Sequence, residues 1–304
     1  MSFFRELRKN RYLYTLLIPG LAVIVLFSYV PMFGHLLAFK NYRFDMGIFR
    51  SPWNNFANFR FFFTSRDWKT ITFNTLYLNT LFILATQVVA VIVALMITEM
   101  KNKYIKRISQ SMIFLPYFVS WLVVSLMLVA LLNGTDGLIN KSFRLPFGLA
   151  SYPFYMKPQI WPLILTVSYV WKFAGYYSVI YIASIIGISP EYYDAAKIDG
   201  ATKVQQIRFI TLPMIRTTVI IMLLLAIGRI FYGDFGMIYG IIGDNGILFP
   251  TTDVIDTYTY RALRQLGNFG MASAVNLFQS TLGLIMIVIF NTVVRRIEPD
   301  ASLF

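Results

Sequence analysis

The sequence EYYDAAKIDGATKVQQIRFITLP, residues 191–213, is a polar stretch between two long apolar segments. Ser189, Pro190 and Glu191 predict a helix start, because a capping hydroxyl, a proline at the first helical position and an acid in the first turn all favour one. Gly200 predicts the end of that helix, since a left-handed residue there is easiest for glycine. We therefore expect a stiff polar helix of about 15 Å between two apolar segments.

The same stretch predicts a contact surface and a second helix. Tyr192 and Tyr193 project from the first helix, and Ala195 and Ala196 leave a flat strip that another protein can approach closely. Val204, Ile207 and Ile210 then recur at helical spacing, and Leu212-Pro213 begins the next apolar run.

The composition indicates a membrane protein. Of the 304 residues, 57% are hydrophobic and 13% are charged, whereas soluble domains have about 25% charged residues. There is no Cys and one His, His35, which excludes a disulfide framework, a thiolate nucleophile and any metal site built from several histidines. The net charge is +13, but the basic residues cluster beside apolar segments and do not form one stripe. This distribution argues against nucleic-acid binding.

Six apolar segments are long enough to cross about 30 Å of hydrocarbon. The predicted spans are Leu13–Gly34, Phe73–Thr98, Ser109–Leu132, Trp161–Ile186, Pro213–Phe235 and Met271–Val294. The first is too long for a signal peptide and has no small-residue cleavage site after it. The expected fold is an all-α polytopic membrane protein.

Basic residues at the ends of the spans predict the orientation. If spans alternate, three clusters lie on one side, which the positive-inside rule makes cytoplasmic, and both termini and loop 187–212 lie there. The clusters are Arg5, Arg8, Lys9 and Arg11; Lys101, Lys103, Lys106 and Arg107; and Arg295 with Arg296. Loop 35–72 then lies outside. Its dispersed charges alternate with Trp53, Phe56, Phe59 and Phe61, which predicts a small folded outer cap.

The expected organisation is one polytopic domain with an N-terminal addition. Residues 1–72 form a cytoplasmic segment, the first span and the extracellular cap. Residues 73–295 form a five-helix core that contains the polar loop 189–213. Residues 296–304 form a cytoplasmic tail.

The polar loop resembles the EAA loop of ABC-importer permeases. That pattern reads E-A-A, three residues, G, nine residues, then I-x-L-P. Asp194-Ala195-Ala196, Gly200 and Ile210-Thr211-Leu212-Pro213 match it at every spacing, with Asp194 in place of the usual Glu. The resemblance implies the six-helix transmembrane fold of type I importers, called MetI-like.

Other stretches resemble the carbohydrate permeases of this superfamily, the MalF and LplB type associated with oligosaccharide and polysaccharide uptake. The matching stretches are Leu37–Lys40, Ser51–Trp53, Asn58-Phe59, Asn74–Leu76, Asp253–Tyr258, Tyr260-Arg261 and Gly270–Val275. The resemblance covers nearly the whole chain.

The resemblance implies a permease subunit that binds no cofactor of its own. It is expected to work with a second homologous permease, two ATP-binding cassette subunits that hold ATP and Mg²⁺, an extracellular substrate-binding lipoprotein, membrane lipid and an oligosaccharide. The chain has no G-x-x-x-x-G-K-[ST] phosphate loop, so we expect ATP hydrolysis on a partner. The residues implied in ATPase coupling are Glu191, Tyr192, Tyr193, Asp194, Ala195, Ala196, Asp199, Gly200, Leu212 and Pro213.

Polar and aromatic residues at membrane depth predict the substrate pathway, because such polar residues are costly and usually face a cavity. The candidates are Trp171, Lys172, Tyr176, Tyr177, Arg229, Tyr232, Asp234, Asn276 and Gln279. Aromatic faces stack on sugar rings, and amides and charges bind hydroxyls. Each candidate also has a structural interpretation: Lys172 pairs with an acid on the partner permease, the tyrosines are packing or interfacial aromatics, and Asn276 and Gln279 hold helices together. Gly175 and Gly283 are expected at close helix contacts.

Three alternatives remain at this point. The importer could carry amino acids or peptides instead of sugar. An ATP-independent channel or transporter would not need the EAA loop. An intramembrane enzyme would need paired acids or a nucleophile with a base, and only Asp234 and Asp244 come near, both toward the outer end of a span.

Overall fold

The computed structural model describes residues 9–65 and 67–302, without the side chains of Phe61, Leu266 and Asp300. In this part of the chain five helices are long and apolar enough to cross a membrane, and two further helices, joined at a sharp bend, pass the same test only as a pair. The basic residues Arg5 and Arg8 used in the orientation argument lie outside the described residues, as does the side chain of Phe61.

The described residues form helices throughout and no named strand. In chain order the helices are α1 (Arg11–Phe39), α2 (Gly47–Arg50), α3 (Ala57–Thr64), α4 (Trp68–Thr98), α5 (Lys103–Phe118), α6 (Trp121–Leu132), α7 (Trp161–Ile186), α8 (Pro190–Ile198), α9 (Lys203–Ile227), α10 (Phe235–Ile242), α11 (Phe249–Thr252), α12 (Ile255–Leu266) and α13 (Phe269–Ile297). Short helical turns lie at Asn140–Arg144, Leu145–Phe147, Phe154–Met156, Pro158–Ile160 and Pro299–Ala301.

The chain divides into two units, one made of residues 9–65 with Thr259–Phe278 and the other of Asp67–Tyr258 with residues 279–302. The sequence division at residue 72 placed Thr259–Phe278 with the core, whereas the structure groups it with the N-terminal unit. The two α-helices α12 and α13 each cross a unit boundary.

The predicted outer cap is a folded structure within the N-terminal unit. The Asn58 side-chain amide donates to the carbonyls of Leu37, Ala38 and Lys40 at 3.0–3.1 Å. The Lys40 ammonium is buried, donates to the Phe49 carbonyl at 2.6 Å and lies 4.9 Å from the centre of the Trp53 ring. These bonds satisfy the irregular backbone that follows α1.

The core of the second unit is the pairing of α4 with α7. One apolar cluster surrounds Phe82 and Trp161, and another surrounds Ala94 and Tyr181. Small residues let backbones approach closely, as predicted for Gly175 and Gly283. A methyl group added at Gly175 would lie 2.0 Å from the Ile113 carbonyl oxygen, and one at Gly283 would lie 2.9 Å from that of Gly228.

The predicted third span, Ser109–Leu132, is wrong as a single helix. It consists of α5 and α6, which meet at 97°. Val119 between them is extended, and the Ser120 hydroxyl caps α6 by accepting from the Val123 amide at 3.4 Å. Pro116 cannot donate a backbone hydrogen bond, and Ser120 offers a better start than a continued helix.

The predicted fifth span, Pro213–Phe235, is wrong at both ends. α9 already begins at Lys203, within the polar loop, and ends at Ile227. Arg229, Tyr232 and Asp234 therefore lie beyond the helix rather than on it. The other spans agree with the prediction in place, with small differences at their ends, and Trp161–Ile186 agrees at both ends.

A π-helical turn explains why α9 continues through Pro213 without a break. Residues Ile207–Thr211 form a π-helical turn just before Pro213, and the same relation holds for Val25–Tyr29 before Pro31 and Asn140–Arg144 before Pro146. A proline ring clashes with the carbonyl four residues earlier, which lies inside the widened turn each time. The wider turn makes room for that ring.

Candidate functional site

A cavity of about 670 Å³ opens among α4, α7, the end of α9 and the turn that follows it. This volume lies within the range of small-ligand pockets. The lining residues are Asn79, Phe82, Ile83, Thr86, Gln87, Tyr169, Phe173, Tyr176, Tyr177, Ile180, Met222, Leu225, Ala226, Arg229, Tyr232, Gly233, Asp234 and Phe235. Tyr176, Tyr177, Arg229, Tyr232 and Asp234 were predicted from the sequence, and the structure brings these five together.

Aromatic rings make one wall of the cavity. The Tyr176 ring stacks on the Tyr117 ring with centroids 4.6 Å apart, and the Tyr169 ring stacks on that of Phe82 at 4.8 Å. Tyr169 and Phe173 are in contact at 4.6 Å. Rings held by their neighbours in this way present fixed flat faces, which suit the apolar faces of a sugar ring.

Side-chain hydrogen bonds hold the turn after α9 against the neighbouring helices. The Asn79 amide donates to the carbonyls of Ile230 at 2.7 Å and Tyr232 at 3.0 Å. The Tyr232 hydroxyl lies 2.5 Å from that of Ser280. The turn has short-range backbone hydrogen bonds of its own, and these side-chain contacts satisfy its Ile230 and Tyr232 carbonyls and tie it to α4 and α13.

Asp234 caps the start of α10, and both of its carboxylate oxygens accept hydrogen bonds. One carboxylate oxygen accepts from the Met237 amide at 3.0 Å, and the other accepts from the Trp121 indole N–H at 2.9 Å. A carboxylate at a helix N-terminus also interacts favourably with the helix dipole. Asp234 thus joins α6, the first helix after the break, to α10.

Lys172 does not line the cavity, contrary to the predicted pathway. Its side chain is only 7% exposed and donates to the carbonyls of Tyr117, at 3.0 Å, and Val119, at the break between α5 and α6. Its ammonium lies 5.2 Å from the Trp121 ring centre. Lys172 therefore satisfies carbonyls that the break leaves without helical partners.

Three further predicted pathway residues also lie away from the cavity. Trp171 is 42% exposed on another face of α7. Gln279 is buried and donates to the Phe231 carbonyl at 2.9 Å and to Asp256 at 3.1 Å, so it holds helices together. Asn276 is exposed in the N-terminal unit.

Other cavity residues were missed from the sequence. Tyr169 and Phe173 lie on the same face of α7 as Tyr176, Tyr177 and Ile180, and this helical spacing is the signal that finds them. Thr86 is buried, and its hydroxyl has no hydrogen-bond partner among the described residues. An unsatisfied hydroxyl at a cavity wall is available to a polar ligand.

The polar loop forms α8 and the first turns of α9. Gly200 has a φ of +77° and ends the loop's first helix as predicted, with the Ala201 amide donating to the Ala196 carbonyl at 2.8 Å. Pro190 and Glu191 occupy the first turn as predicted, but the Ser189 hydroxyl makes no capping hydrogen bond. Thr202 and Gln205 start α9 with a reciprocal capping box, which the sequence reasoning missed.

One face of α8 is fixed and the other is exposed. The Tyr193 hydroxyl lies 3.0 Å from that of Thr211 on α9, and Lys203 at the start of α9 forms an ion pair with Glu99, just after α4, at 2.9 Å. Tyr192 is 54% exposed and Ile198 is 87% exposed. The exposed predicted coupling residues are Glu191, Tyr192, Asp194, Ala195, Asp199, Gly200, Leu212 and Pro213, whereas Tyr193 and Ala196 are half-buried.

The exposed face of α8 carries two large side chains, Tyr192 and Ile198. The link of α8 through Tyr193 and Thr211 leads directly into α9, whose far end borders the cavity. The loop and the cavity are therefore the two ends of one continuous element.

Comparisons with known proteins give one family. The family described as "binding-protein-dependent transport system inner membrane component" matches residues 88–299. In Bacillus subtilis, the polygalacturonan/rhamnogalacturonan transport system permease protein YteP is 31% identical, over 97% of this chain and 91% of its own length. Protein LplB of the same organism is 32% identical, over 99% and 93%.

Solved structures agree. A bacterial ABC transporter involved in import of the acidic polysaccharide alginate contains a chain that is 31% identical, with a TM-score of 0.88 over 97% of this chain and 99% of that one. The alginate transporter in complex with an alginate pentasaccharide-bound periplasmic protein gives a TM-score of 0.87 at 31% identity, over 98% of both chains.

Proposed function

This chain belongs to the family of binding-protein-dependent transport system inner membrane components, and we propose that it is the permease subunit of an ATP-driven importer of oligosaccharides. The observation that carries the proposal is the cavity walled by aromatic rings and polar groups, which α9 joins to the exposed loop helix α8. ATP hydrolysis takes place on separate ATPase subunits, as for the permeases of this family.

A carbohydrate cargo fits the cavity better than the amino-acid or peptide alternative. Flat aromatic faces next to amide and hydroxyl groups match the apolar faces and hydroxyl edges of sugar rings. Similar proteins are named for polygalacturonan, rhamnogalacturonan and alginate transport. The ATP-independent alternative leaves the exposed coupling face of α8 without a function.

We place ATPase coupling at α8 and the turns that follow it. Tyr192, Ile198 and Asp199 face a cleft of an ATPase subunit, and closure of two ATPase subunits moves α8 as a lever. α9 carries that displacement to the cavity, which opens alternately to the two sides of the membrane. ATP and Mg²⁺ belong to the ATPase, and this chain requires no cofactor of its own.

The full assembly that we propose has a second permease, two ATPase subunits and an extracellular binding protein that delivers the sugar. The chain crosses the membrane several times, as its family does. We place both termini and loop 189–213 on the cytoplasmic side of a bacterial cell membrane. Basic residues between α4 and α5 and at the end of α13 support that orientation.

Proteoliposome uptake tests the proposal. The chain is reconstituted with the second permease, the ATPase and the binding protein encoded by neighbouring genes, and uptake of labelled oligosaccharides is measured. We expect uptake that requires both ATP and binding protein. Uptake that persists without the ATPase, or uptake of amino acids or peptides in place of oligosaccharides, would contradict the proposal.

A further inference from the structure

We propose that Arg229 binds a carboxylate of the cargo, so that this importer selects oligosaccharides that contain uronic acids. The inference rests on the proposed function and adds the charge class of the sugar. It depends on three features of the cavity. The Arg229 guanidinium has no partner among the described residues, the Asp234 carboxylate already accepts hydrogen bonds from other groups, and aromatic rings line the same cavity.

Arg229 lies in the turn after α9 and lines the cavity. Among the residues that the structure describes, its guanidinium makes no hydrogen bond and no ion pair. A cation that lines a cavity without a protein partner is available to a bound anion or to water. The planar guanidinium matches the two oxygens of a carboxylate, which a lysine would bind only as a point charge.

Charges already in the cavity do not neutralise Arg229. Asp234 is the single carboxylate among the described lining residues, and both of its oxygens accept hydrogen bonds from Trp121 and Met237. Lys172 is directed to the α5–α6 break and adds no charge to the lining. The cavity thus presents one available cation and no available anion.

The aromatic wall explains why the anion is a sugar carboxylate and not a free ion. Phe173, Tyr176 and Tyr177 line the same cavity as Arg229. A uronate residue has an apolar ring face and a carboxylate at its edge, and an aromatic face with a neighbouring guanidinium is complementary to both groups. A neutral sugar would leave the guanidinium without a charged partner.

Two other partners for Arg229 are possible within the complex. The negative end of the α9 dipole lies nearby in sequence, and an acid of the second permease could face the cavity. Either would give Arg229 a structural function, and its loss would then affect all cargoes equally. Cargo charge and residue charge must therefore be varied together.

The test uses matched cargoes that differ only in charge. Tetrasaccharides of galacturonate and of alginate are supplied as free acids and as methyl esters, together with neutral galacto-oligosaccharides, to the complete complex in proteoliposomes. We expect wild-type protein to import at least one free acid faster than its ester. In Arg229→Gln we expect uptake of that acid at subsaturating concentration to fall by about tenfold to a hundredfold, the loss of one charge-assisted hydrogen-bonded contact, with no such fall for neutral or esterified cargo.

Two further variants make the result specific. Arg229→Lys keeps the charge and is expected to recover part of the lost uptake. Lys141→Gln removes an equal charge from an exposed side chain outside the cavity lining and should leave the acid-to-ester ratio unchanged.

Equal uptake of acid and ester by wild type, or an equal effect of Arg229→Gln on both, would overturn the inference while leaving the importer intact. Import of neutral sugars alone would do the same. If the complete complex imports no oligosaccharide, the proposed function fails first.

Discussion

Single residues set the closest backbone contacts of the core, and Gly175 sets the tightest of those described above. A Cβ there would lie 2.0 Å from a backbone carbonyl oxygen, that of Ile113, which no side-chain rotation relieves. We expect Gly175→Ala to lower the stability of the complex by about 1–3 kcal/mol, the usual range for overpacking. Thermal unfolding in detergent measures it.

Gly187, the residue that follows the end of α7, offers a control. At Gly187 an added Cβ would meet no atom closer than 3.4 Å, which is ordinary contact. Gly187→Ala should therefore leave the melting temperature unchanged within a degree or two. Equal melting temperatures for the two variants would show that α5 and α7 do not approach as closely as described.

Cysteine labelling tests which residues of α7 face the cavity, and the chain has no native Cys. Tyr176→Cys and Tyr177→Cys should react with a polar thiol reagent, at rates that change with ATP. Lys172→Cys should be protected, because that side chain packs at the break, and Leu165→Cys, at a position that is fully buried, is the control. Protection at both tyrosine positions in every nucleotide state would place the pathway elsewhere.

Half-buried Asp256, on α12 outside the membrane-spanning segments, predicts a pH dependence. Burial raises the pKa of its carboxyl above the ordinary value, although hydrogen bonds from the Gly233 amide and Gln279 oppose this. A raised pKa in the folded state means that its contribution to stability is largest below about pH 4, the ordinary aspartate pKa, and is lost as pH rises through the higher value.

We expect Asp256→Asn to remove the loss of stability that accompanies ionisation of this carboxyl as pH rises. Both hydrogen bonds go to one carboxylate oxygen, so an amide oxygen in the same place keeps both of them. The melting temperature of the variant relative to wild type should rise between pH 4 and pH 7. Asp136→Asn, at an exposed ion pair, should show no such trend. A constant difference across this range would contradict the argument.

At the scale of elements, α8, the helix that we propose couples to the ATPase, depends on the turn that ends it. Gly200 has a φ of +77°, which a β-branched residue adopts only at a cost of about 1–2 kcal/mol or more. We expect Gly200→Val to reorient α8 and to reduce uptake while ATP hydrolysis continues. Parallel assays of sugar uptake and phosphate release in proteoliposomes measure both.

Gly200→Asn is the control for this change, since asparagine tolerates the left-handed region better than any β-branched residue. It should retain most of the uptake. Normal uptake in the valine variant, at normal abundance in the membrane, would argue against coupling through α8.

Elements also show what sequence could predict. Spans were found because about 20 consecutive apolar residues are a local property of the chain. The break after Phe118 was not predicted. The carbonyls of Tyr117 and Val119 at this break accept hydrogen bonds from Lys172, more than fifty residues later in the chain. Pro116 and Ser120 favour a break locally, but the sequence does not show that a distant lysine satisfies the carbonyls there.

The candidate site shows the same division. The loop pattern with Gly200 and Pro213 has a fixed spacing, so it can be recognised from the sequence alone. The cavity depends on which faces of α4, α7 and α9 meet, so Asn79 and Thr86 on α4 could not be selected from the sequence alone. Arg229 and Asp234 were selected for their charge, although their place on the fifth span was wrong.

The whole molecule leaves a large apolar surface uncovered. Large side chains of α5 and α6 are exposed, including Ile108, Met112, Phe118, Leu122 and Leu126. Lipid or a second permease covers such a surface in a membrane.

We expect co-purification to recover one copy of each permease with two ATPase subunits, as mass spectrometry of the intact complex will show. A transport-competent homodimer of this chain would contradict that composition.

The π-helical turn before Pro213 has a consequence for rotation. Successive residues of an α-helix advance about 100° around its axis, whereas a π-helical turn takes in an extra residue over nearly the same rise. The segment Ile207–Thr211 therefore sets the phase between the loop end of α9 and its membrane end. Removing one residue from this segment would rotate the loop end of α9 by about 100° relative to its membrane end, and would turn α8 with it.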